Sequence, residues 1–244
     1  MRLDDFLVLG RTVPEASRHY GVRVCMAGYS EELGRLLRIY PLLIDAPLRA
    51  RHLATMEVIR NPDDNRPESF KLRDAVDSIY AVSDAPHWSV GQVCDLASHV
   101  QARSIAQLNA LKVSLGYIPL MQAPELVWCT RPEKGSDVQL MLFDEFVHDL
   151  HITQFWTGTA YPQVPYLRLK DADGEHTLQL REWGVFEYLR KHEFSPTGLE
   201  KALQLHLQGE QWFALVGNMA HRRNVWLVIQ LLHRPPMLFQ STYS

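Results

Sequence analysis

The chain has 244 residues, of which 46% are hydrophobic and 10% are aromatic. This composition is typical of a globular protein and excludes extended disorder. The formal net charge is -3 at pH 7, whereas proteins that coat nucleic acid through bulk electrostatics are strongly basic. Any contact with nucleic acid is therefore expected to be local.

The first hairpin is the earliest informative element. Residues 20–29 and 35–42 are apolar-rich and flank a polar turn that ends in Gly34, which predicts two antiparallel strands. Arg23, Arg35 and Arg38 recur along these strands. A curved hairpin with outward-facing arginines is what a small nucleic-acid-binding barrel presents to a phosphate backbone. The alternative is an ordinary hairpin with solvated arginines.

The chain then changes from strand to helix patterns. Residues 52–60 are expected to form a strand, which ends at the loop-forming residues 61–65. Between residues 89 and 114 the apolar residues recur at helical spacing, and Ser89 and Ser104 are placed to cap two helices. We therefore predict a first barrel over residues 1–83 and a helical connector over residues 84–117.

A second β region begins near Ile118 and contains two inserted helices, at residues 182–192 and 197–208. A good hairpin turn spans residues 171–174. The predicted strands are residues 126–129, 139–143, 150–155, 166–170, 176–180, 211–216 and 225–232. This order predicts an α+β fold with two small OB-like β-barrels, the second over residues 118–244. A single merged α+β domain is the alternative.

The cysteines and the N-terminus indicate the compartment. Cys25, Cys94 and Cys129 are far apart and form no CxxC motif, which predicts a reducing environment without a disulfide framework or a cysteine zinc cage. The first residues lack the apolar core of a signal peptide, and no apolar run reaches the ~18 residues of a membrane span. We expect a cytoplasmic protein with no membrane segment, no metal and no cofactor.

Six short motifs occur in order along nearly the whole chain. They are Val24 to Gly28, Arg38 to Pro41, Arg66-Pro67-Glu68-Ser69, Ser114-Leu115-Gly116, Glu182-Trp183 and Val216-Gly217-Asn218. With this set the chain resembles the bacterial dual OB-containing domain proteins, and the resemblance implies two OB-like barrels. Some similar proteins accompany the deazaguanine DNA-modification machinery, where they convert cyano-deazaguanine in DNA into its amide. The resemblance thus implies DNA and other proteins of such a system as partners.

Hydration of a nitrile requires either a thiolate nucleophile or a water activated by a base, with an acid to protonate the nitrogen. Cys25 or Cys129 would serve the first route. Glu68, His176 or Glu182 would serve the second. For Cys25 the alternative is a buried inert cysteine, and for His176 it is an exposed strand histidine.

A base within a duplex must also be flipped out and stacked, for which Tyr40 and Trp183 are the candidates. Arg66 and Glu68 could read a base edge, or they could form an ion pair that holds a loop. We expect the segment with Arg66 and Glu68 to approach the same pocket as the segment from His176 to Glu182. A non-catalytic OB-type module that binds single strands or a partner protein is the alternative function.

Metal binding has little support in the sequence. In relatives, cysteines precede the position of His176 in a metal-like arrangement, but here none lies between Cys129 and His176. His148 and His151 would point to opposite sides of a strand. We therefore expect no firmly bound zinc.

Overall fold

The computed structural model describes residues 1–17, 20–130, 163–193, 195–207, 211–220 and 222–234. The strands predicted at residues 139–143 and 150–155, together with His148 and His151, lie outside these ranges. Within them the chain is β-rich, with two sheets and a few helices. The coarse prediction of a barrel-containing α+β fold is confirmed.

The first half forms a closed five-stranded barrel. Its strands pair in the order β1-β3-β4-β6-β5, and β1 pairs again with β5 to close the ring. The β4–β6 pair is parallel and the other pairs are antiparallel. This barrel is compatible with the OB-fold. The strands of this half are β1 (Arg2–Arg11), β2 (Glu15–Ser17), β3 (Gly21–Ser30), β4 (Arg35–Leu42), β5 (Leu53–Arg60), β6 (Ser69–Leu72) and β7 (Ile79–Val82), with a 3-10 helix at Ala75–Ser78.

The second half contains a six-stranded sheet with the order β8-β12-β13-β11-β10-β9. The β11–β13 pair is parallel. Its strands are β8 (Leu115–Leu120), β9 (Glu125–Thr130), β10 (Gln163–Lys170), β11 (Glu175–Leu180), β12 (Trp212–Met219) and β13 (Arg222–His233). Helices α1 (Val90–Val100) and α2 (Ile105–Ala110) precede it in the chain, and α3 (Trp183–Lys191) and α4 (Leu199–Ala202) lie between β11 and β12.

The predicted helix caps are confirmed. The Ser89 hydroxyl accepts a hydrogen bond from the Gln92 amide, and the Gln92 side chain accepts one from the Ser89 amide, which forms a capping box at α1. Ser104 accepts from the Gln107 amide at α2. Both caps are local signals, so they can be predicted from a short window of sequence.

A shared apolar core joins the two halves. On β1 and β12, one set of alternating side chains packs into the core of its own half. The other set, which includes Leu7, Leu9, Phe213 and Leu215, packs into a cluster shared by both halves. These four side chains are 1% exposed or less. They form one cluster with residues of β3, α1, β8 and β13, among them Ala27, Val93, Cys94, Tyr117 and Ile229. Both faces of β1 and β12 are therefore buried.

A short relay of hydrogen bonds crosses this core. The Tyr117 hydroxyl donates to Gln230 Oε1 at 2.8 Å, and Gln230 Nε2 donates to the Leu9 carbonyl at 2.8 Å. Burial raises the pKa of Tyr117 well above its usual value, so the phenol stays protonated and acts as a donor. The relay gives hydrogen-bond partners to the Tyr117 hydroxyl and the Gln230 amide, which the shared core encloses.

The longest helix of the described residues is α1, with 11 residues. In the part of the chain that the structure describes, no helix is both long and apolar enough to cross a membrane.

Candidate functional site

A buried polar junction lies where the loop before β6 meets the end of β12. Arg66 Nε donates to Asp64 Oδ1 at 2.8 Å and to Asp64 Oδ2 at 2.9 Å, and Arg66 Nη1 donates to the Asn218 carbonyl at 2.7 Å. Arg66, Asp64 and Asn218 are each 7% exposed or less. The Arg66 guanidinium thus binds a carboxylate of its own loop and a carbonyl of the other half.

Burial alone would raise the pKa of Asp64, but hydrogen bonds from Arg66 and Ser69 outweigh it and hold this pKa at about 2. Burial would likewise lower the pKa of Arg66, and the hydrogen bonds to Asp64 raise it instead. Asp64 and Arg66 therefore remain charged and paired. The ion pair that the sequence suggested as an alternative for Arg66 exists, with Asp64 rather than Glu68 as its acid.

Glu68 and Arg38 bind the segment that precedes β8. Glu68 Oε1 accepts from the Ser114 amide at 3.2 Å and from the Ser114 hydroxyl, while Arg38 Nη2 donates to the Ser114 carbonyl at 2.9 Å. Glu68 is 5% exposed and Arg38 is 6% exposed. Arg38 therefore lies between the halves, and the expectation that it lies on the outer face of the hairpin is wrong. Residues three apart on a strand, such as Arg35 and Arg38, point to opposite sides.

Cys25 lies beside this junction. Its half-buried sulfur accepts from Arg38 Nη1 at 3.5 Å. The Cys25 amide donates to the Thr12 hydroxyl at 3.1 Å, and the Thr12 backbone forms an isolated β-bridge with Glu182. Paired residues on neighbouring strands project to the same side. The Thr12 amide donates to the Cys25 carbonyl at 2.8 Å, so backbone contacts connect Cys25, Thr12 and Glu182 in one lateral row from the first half to the second.

Glu182 is a carboxyl group with a raised pKa. Burial raises the pKa of Glu182 to about 7, although a hydrogen bond that its Oε2 accepts from the Leu231 amide at 3.2 Å partly opposes this. Glu182 also precedes α3 as its N-cap residue, without a side-chain cap hydrogen bond. At neutral pH it exists in both protonation states, which is the requirement for a general acid or base.

Trp183 packs at the boundary between the halves. It contacts the core of the first barrel, and the Arg11 guanidinium covers its ring at 4.8 Å from the centroid. Arg11 is itself fixed by donating to the Leu48 carbonyl at 3.1 Å. One face of the indole is therefore occupied, so a base would have to use the remainder of the ring or displace Arg11.

Two tyrosines form an aromatic pair at the end of the first barrel. The rings of Tyr20 and Tyr40 are 6.2 Å apart in an edge-to-face arrangement, and both residues are half-buried. The Tyr20 hydroxyl donates to Asp63, and this bond raises the pKa of Tyr20 to about 12. Asn61 Nδ2 donates to the Tyr40 carbonyl at 3.0 Å. The loop after β5 therefore holds both tyrosines.

The remaining arginines of the first hairpin are far apart. Arg35 is exposed and pairs with Ser30 at the turn, whereas Arg23 lies seven residues before Ser30 on β3. At the rise of a strand this separation is roughly 23 Å. Arg23, half-buried and donating to the Val22 carbonyl, lies at the same end as Tyr20 and Tyr40. Arg223 reaches this end from β13 and donates to Asn65.

His176 belongs to a different network. His176 Nε2 lies 3.0 Å from Asp171 Oδ2, and this oxygen also accepts from the Ile105 amide at 2.9 Å. Asp171 Oδ1 accepts from the amides of Asp173 and Gly174 within the β10–β11 turn. Asp171 thus fixes the hairpin turn to the start of α2. Among the hydrogen bonds of the described residues, this network shares no member with that of Glu68.

The structure therefore brings together Arg66, Arg38, Glu68 and Cys25, with Glu182 in the same lateral row as Cys25. Sequence reasoning missed Asp64, Thr12, Tyr20 and Asn218. Asp64 carried a usable signal, because it lies in a polar loop directly after a predicted strand, and Tyr20 carried one as the first residue of a predicted strand. No group of three or more His, Cys, Asp or Glu side chains could hold a metal ion within the residues described above.

One family model matches the N-terminal part of the chain. Residues 2–90 match a domain of unknown function, DUF8758, and this match covers the first barrel and ends at the first residue of α1. No curated protein matches the chain.

The Arg66 junction predicts a large difference between two arginine variants. Replacing Arg66 by alanine should lower the free energy of unfolding by about 3–5 kcal/mol, because it leaves the Asp64 carboxylate buried without its partner. Arg168→Ala, which breaks the exposed Arg168–Glu125 pair, should cost less than ~1 kcal/mol. Urea denaturation followed by tryptophan fluorescence measures both.

If Arg66→Ala is recovered only unfolded, Arg66→Lys keeps the charge and loses the forked contact, and it should give a smaller measurable loss. Equal stability of the Arg66 and Arg168 variants would contradict the role given to the junction.

The raised pKa of Glu182 predicts a pH-dependent stability. The pKa of Glu182 is about 7 in the folded protein and 4.5 ordinarily. Its stabilising contribution to the free energy of unfolding is therefore fully present below pH 4.5 and is lost as the pH rises through 7. Glu182→Gln should remove about 2–3 kcal/mol of the fall in unfolding free energy between pH 5 and pH 8. Urea denaturation at each pH checks this, with the exposed Glu200→Gln as control. Parallel pH profiles for the wild type and Glu182→Gln would refute it.

Proposed function

We propose that the chain is a two-barrel OB-type protein that binds single-stranded nucleic acid. The observation that carries this proposal is the strand order of the first barrel. The five strands of the barrel, in chain order, are β1, β3, β4, β5 and β6. Around the barrel they follow the order first, second, third, fifth, fourth and back to first, and the third and fifth strands are parallel. A five-stranded barrel of this kind binds oligonucleotides or oligosaccharides in many proteins.

The second sheet supports a second barrel of the same type. In the first barrel, the start of β1 pairs with β5 and its end pairs with β3. In the second sheet, β8 pairs with β12 and β9 pairs with β10. In the proposed second barrel, β8 and β9 together would correspond to one bent first strand, and β10 to β13 would correspond to the second to fifth strands. In this division α1 and α2 form the connector, which ends before Leu115 rather than at residue 117 because β8 begins there.

The surface that OB-folds use for oligonucleotides lies on the second and third strands and on the loops after the first and fourth strands. In the first barrel these are β3, β4 and the loops that contain Tyr20 and Asp63. Tyr20 and Tyr40 offer ring surface on which bases stack, while Arg23 and Arg223 offer charge for phosphates. We call this surface, made of Tyr20, Tyr40, Arg23 and Arg223, the aromatic rim.

The net charge of -3 agrees with a small, local contact rather than a broad basic surface. Arg223 comes from the second half, so both halves contribute to the rim. DNA is the partner that the resemblance to dual OB-containing domain proteins implies.

The aromatic rim predicts which variants lose binding. Tyr40→Leu should weaken binding of a labelled single-stranded DNA oligonucleotide about tenfold, because base stacking on one aromatic ring is worth ~1–3 kcal/mol. Arg23→Ala should reduce the salt slope by about 0.7. Fluorescence anisotropy across a salt series measures both quantities.

Arg35→Ala is the matched control, because Arg35 is exposed on the same hairpin but lies at its other end. Loss of binding in Arg35→Ala equal to that in Arg23→Ala would favour the whole outer face of the hairpin instead of the rim. Absence of saturable binding by the wild type would refute the proposal.

A second candidate function is modification of a base in DNA by hydration of cyano-deazaguanine. The observation that favours it is the contact between the Cys25 sulfur and Arg38, in a row that ends at Glu182. In the thiol route, the Cys25 sulfur adds to the nitrile carbon and the nitrogen gains a proton, which gives a thioimidate. Water then adds to that carbon, and collapse of the adduct breaks the carbon–sulfur bond and leaves the amide.

In this route Arg38 would stabilise the negative charge on sulfur, and Glu182 would exchange the protons at neutral pH. Glu68 and His176 would take no part, because Glu68 is bound to Ser114 and His176 to Asp171. Other proteins of a DNA-modification system would supply the DNA that already carries the cyano base.

The base-modification proposal predicts a defined product. DNA that contains cyano-deazaguanine should gain one water on that base when incubated with the protein, as read from nucleoside masses after digestion. Cys25→Ser should abolish the gain, since the serine hydroxyl is a far weaker nucleophile, whereas Cys129→Ser should retain it. An unchanged mass with intact oligonucleotide binding by the wild type would leave the non-catalytic module as the function.

A further inference from the structure

A surface pocket of about 360 Å³ lies between the β3–β4 turn and helix α1, apart from the polar junction and the aromatic rim. This volume falls within the range of pockets that bind small molecules. Residues that line it include Tyr29, Glu31, Trp88, Gln92, Asp95 and His99.

The aromatic walls of the pocket are fixed in place. Tyr29 and Trp88 are half-buried and pack against the apolar core that joins the two halves. The Trp88 backbone is bound on both sides to Arg51: its amide donates to the Arg51 carbonyl at 3.3 Å, and Arg51 Nη1 donates to the Trp88 carbonyl at 3.4 Å. Both rings therefore present preformed surfaces.

The charges of the pocket are mainly negative. Among the described residues that line it there is no lysine or arginine, and two are acidic, Glu31 and Asp95. Asp95 pairs with Arg234 at 2.7 Å, whereas Glu31 has no ion-pair partner within the described ranges. A third carboxylate, that of Asp5 on β1, contacts the β3–β4 turn: its Oδ2 accepts from the Glu32 amide at 2.6 Å. Arg35, at the end of this turn, is exposed and is not among the residues that line the pocket.

We propose that this pocket binds a small organic cation, an alkylammonium group on a short apolar stem. The ammonium charge faces Glu31, and its methyl or methylene groups lie against the rings of Tyr29 and Trp88. Cations bind aromatic faces through the ring quadrupole, and quaternary ammonium groups are held in this way in aromatic cages. Phosphate groups of a nucleic acid are repelled from the same pocket, so the site is separate from the aromatic rim.

The probe that tests this proposal is choline, with its neutral isostere 3,3-dimethyl-1-butanol as the matched ligand. Two-dimensional NMR of the full chain follows the indole signal of Trp88, which is assigned by its loss in Trp88→Phe. Choline should shift this signal saturably, with a Kd on the order of a few millimolar. The alcohol should produce no saturable shift at the same concentrations.

Glu31→Gln should weaken choline binding about threefold or more, because it removes the charge that faces the ammonium group. Glu31 is exposed, so this variant should fold normally. Glu125→Gln, which removes an exposed carboxylate on β9, is the matched control and should bind choline like the wild type. Equal shifts with the alcohol, a linear response to choline, or equal losses in both glutamine variants would each overturn the proposal. The experiment contains no nucleic acid, so its outcome is independent of the aromatic rim.

Discussion

Strands β1 and β12 have apolar neighbours on both of their faces, and the arrangement of the two sheets follows from this. One set of alternating side chains fills the interior of each sheet, and the other set meets the opposite half in a common core. At about 25 cal/mol per Å² of apolar surface, such a core favours association of the halves without any specific contact. The polar junction of Arg66 and Asn218 and the relay through Gln230 then fix the relative position of the two sheets.

Local signals in the sequence predicted most of the hairpins and both helix caps. The first hairpin, the β10–β11 turn and the caps at Ser89 and Ser104 all depend on residues a few positions apart. Strand β1 was missed because its buried stretch contains no alternation of apolar and polar residues, as expected for a strand covered on both faces. The helix expected at residues 197–208 is only Leu199–Ala202.

The candidate site was harder to predict, because its contacts join distant parts of the chain. Arg66 and Asn218 are 152 positions apart, and each belongs to a motif that gives no sign of the other. The polar loop around Arg66 and Glu68 was expected to be exposed, but both residues are buried because they bind Asn218 and Ser114 of the later part of the chain. Arg38 shows a related limit. Strand alternation places it on the opposite side from Arg35, but its contact with the Ser114 carbonyl depends on the second half.

The core between the halves extends beyond the segment that the family model matches. The segment that matches a family of its own stops at residue 90, while Leu7, Leu9 and Ala27 within it are covered by residues beyond that point. An isolated copy of this segment would present an apolar patch to water, which is a liability for solubility. Wherever the segment carries apolar residues at these positions, it therefore requires a covering surface, supplied by its own chain or by another. The segment that the family model matches is thus smaller than the unit that buries its own apolar surface.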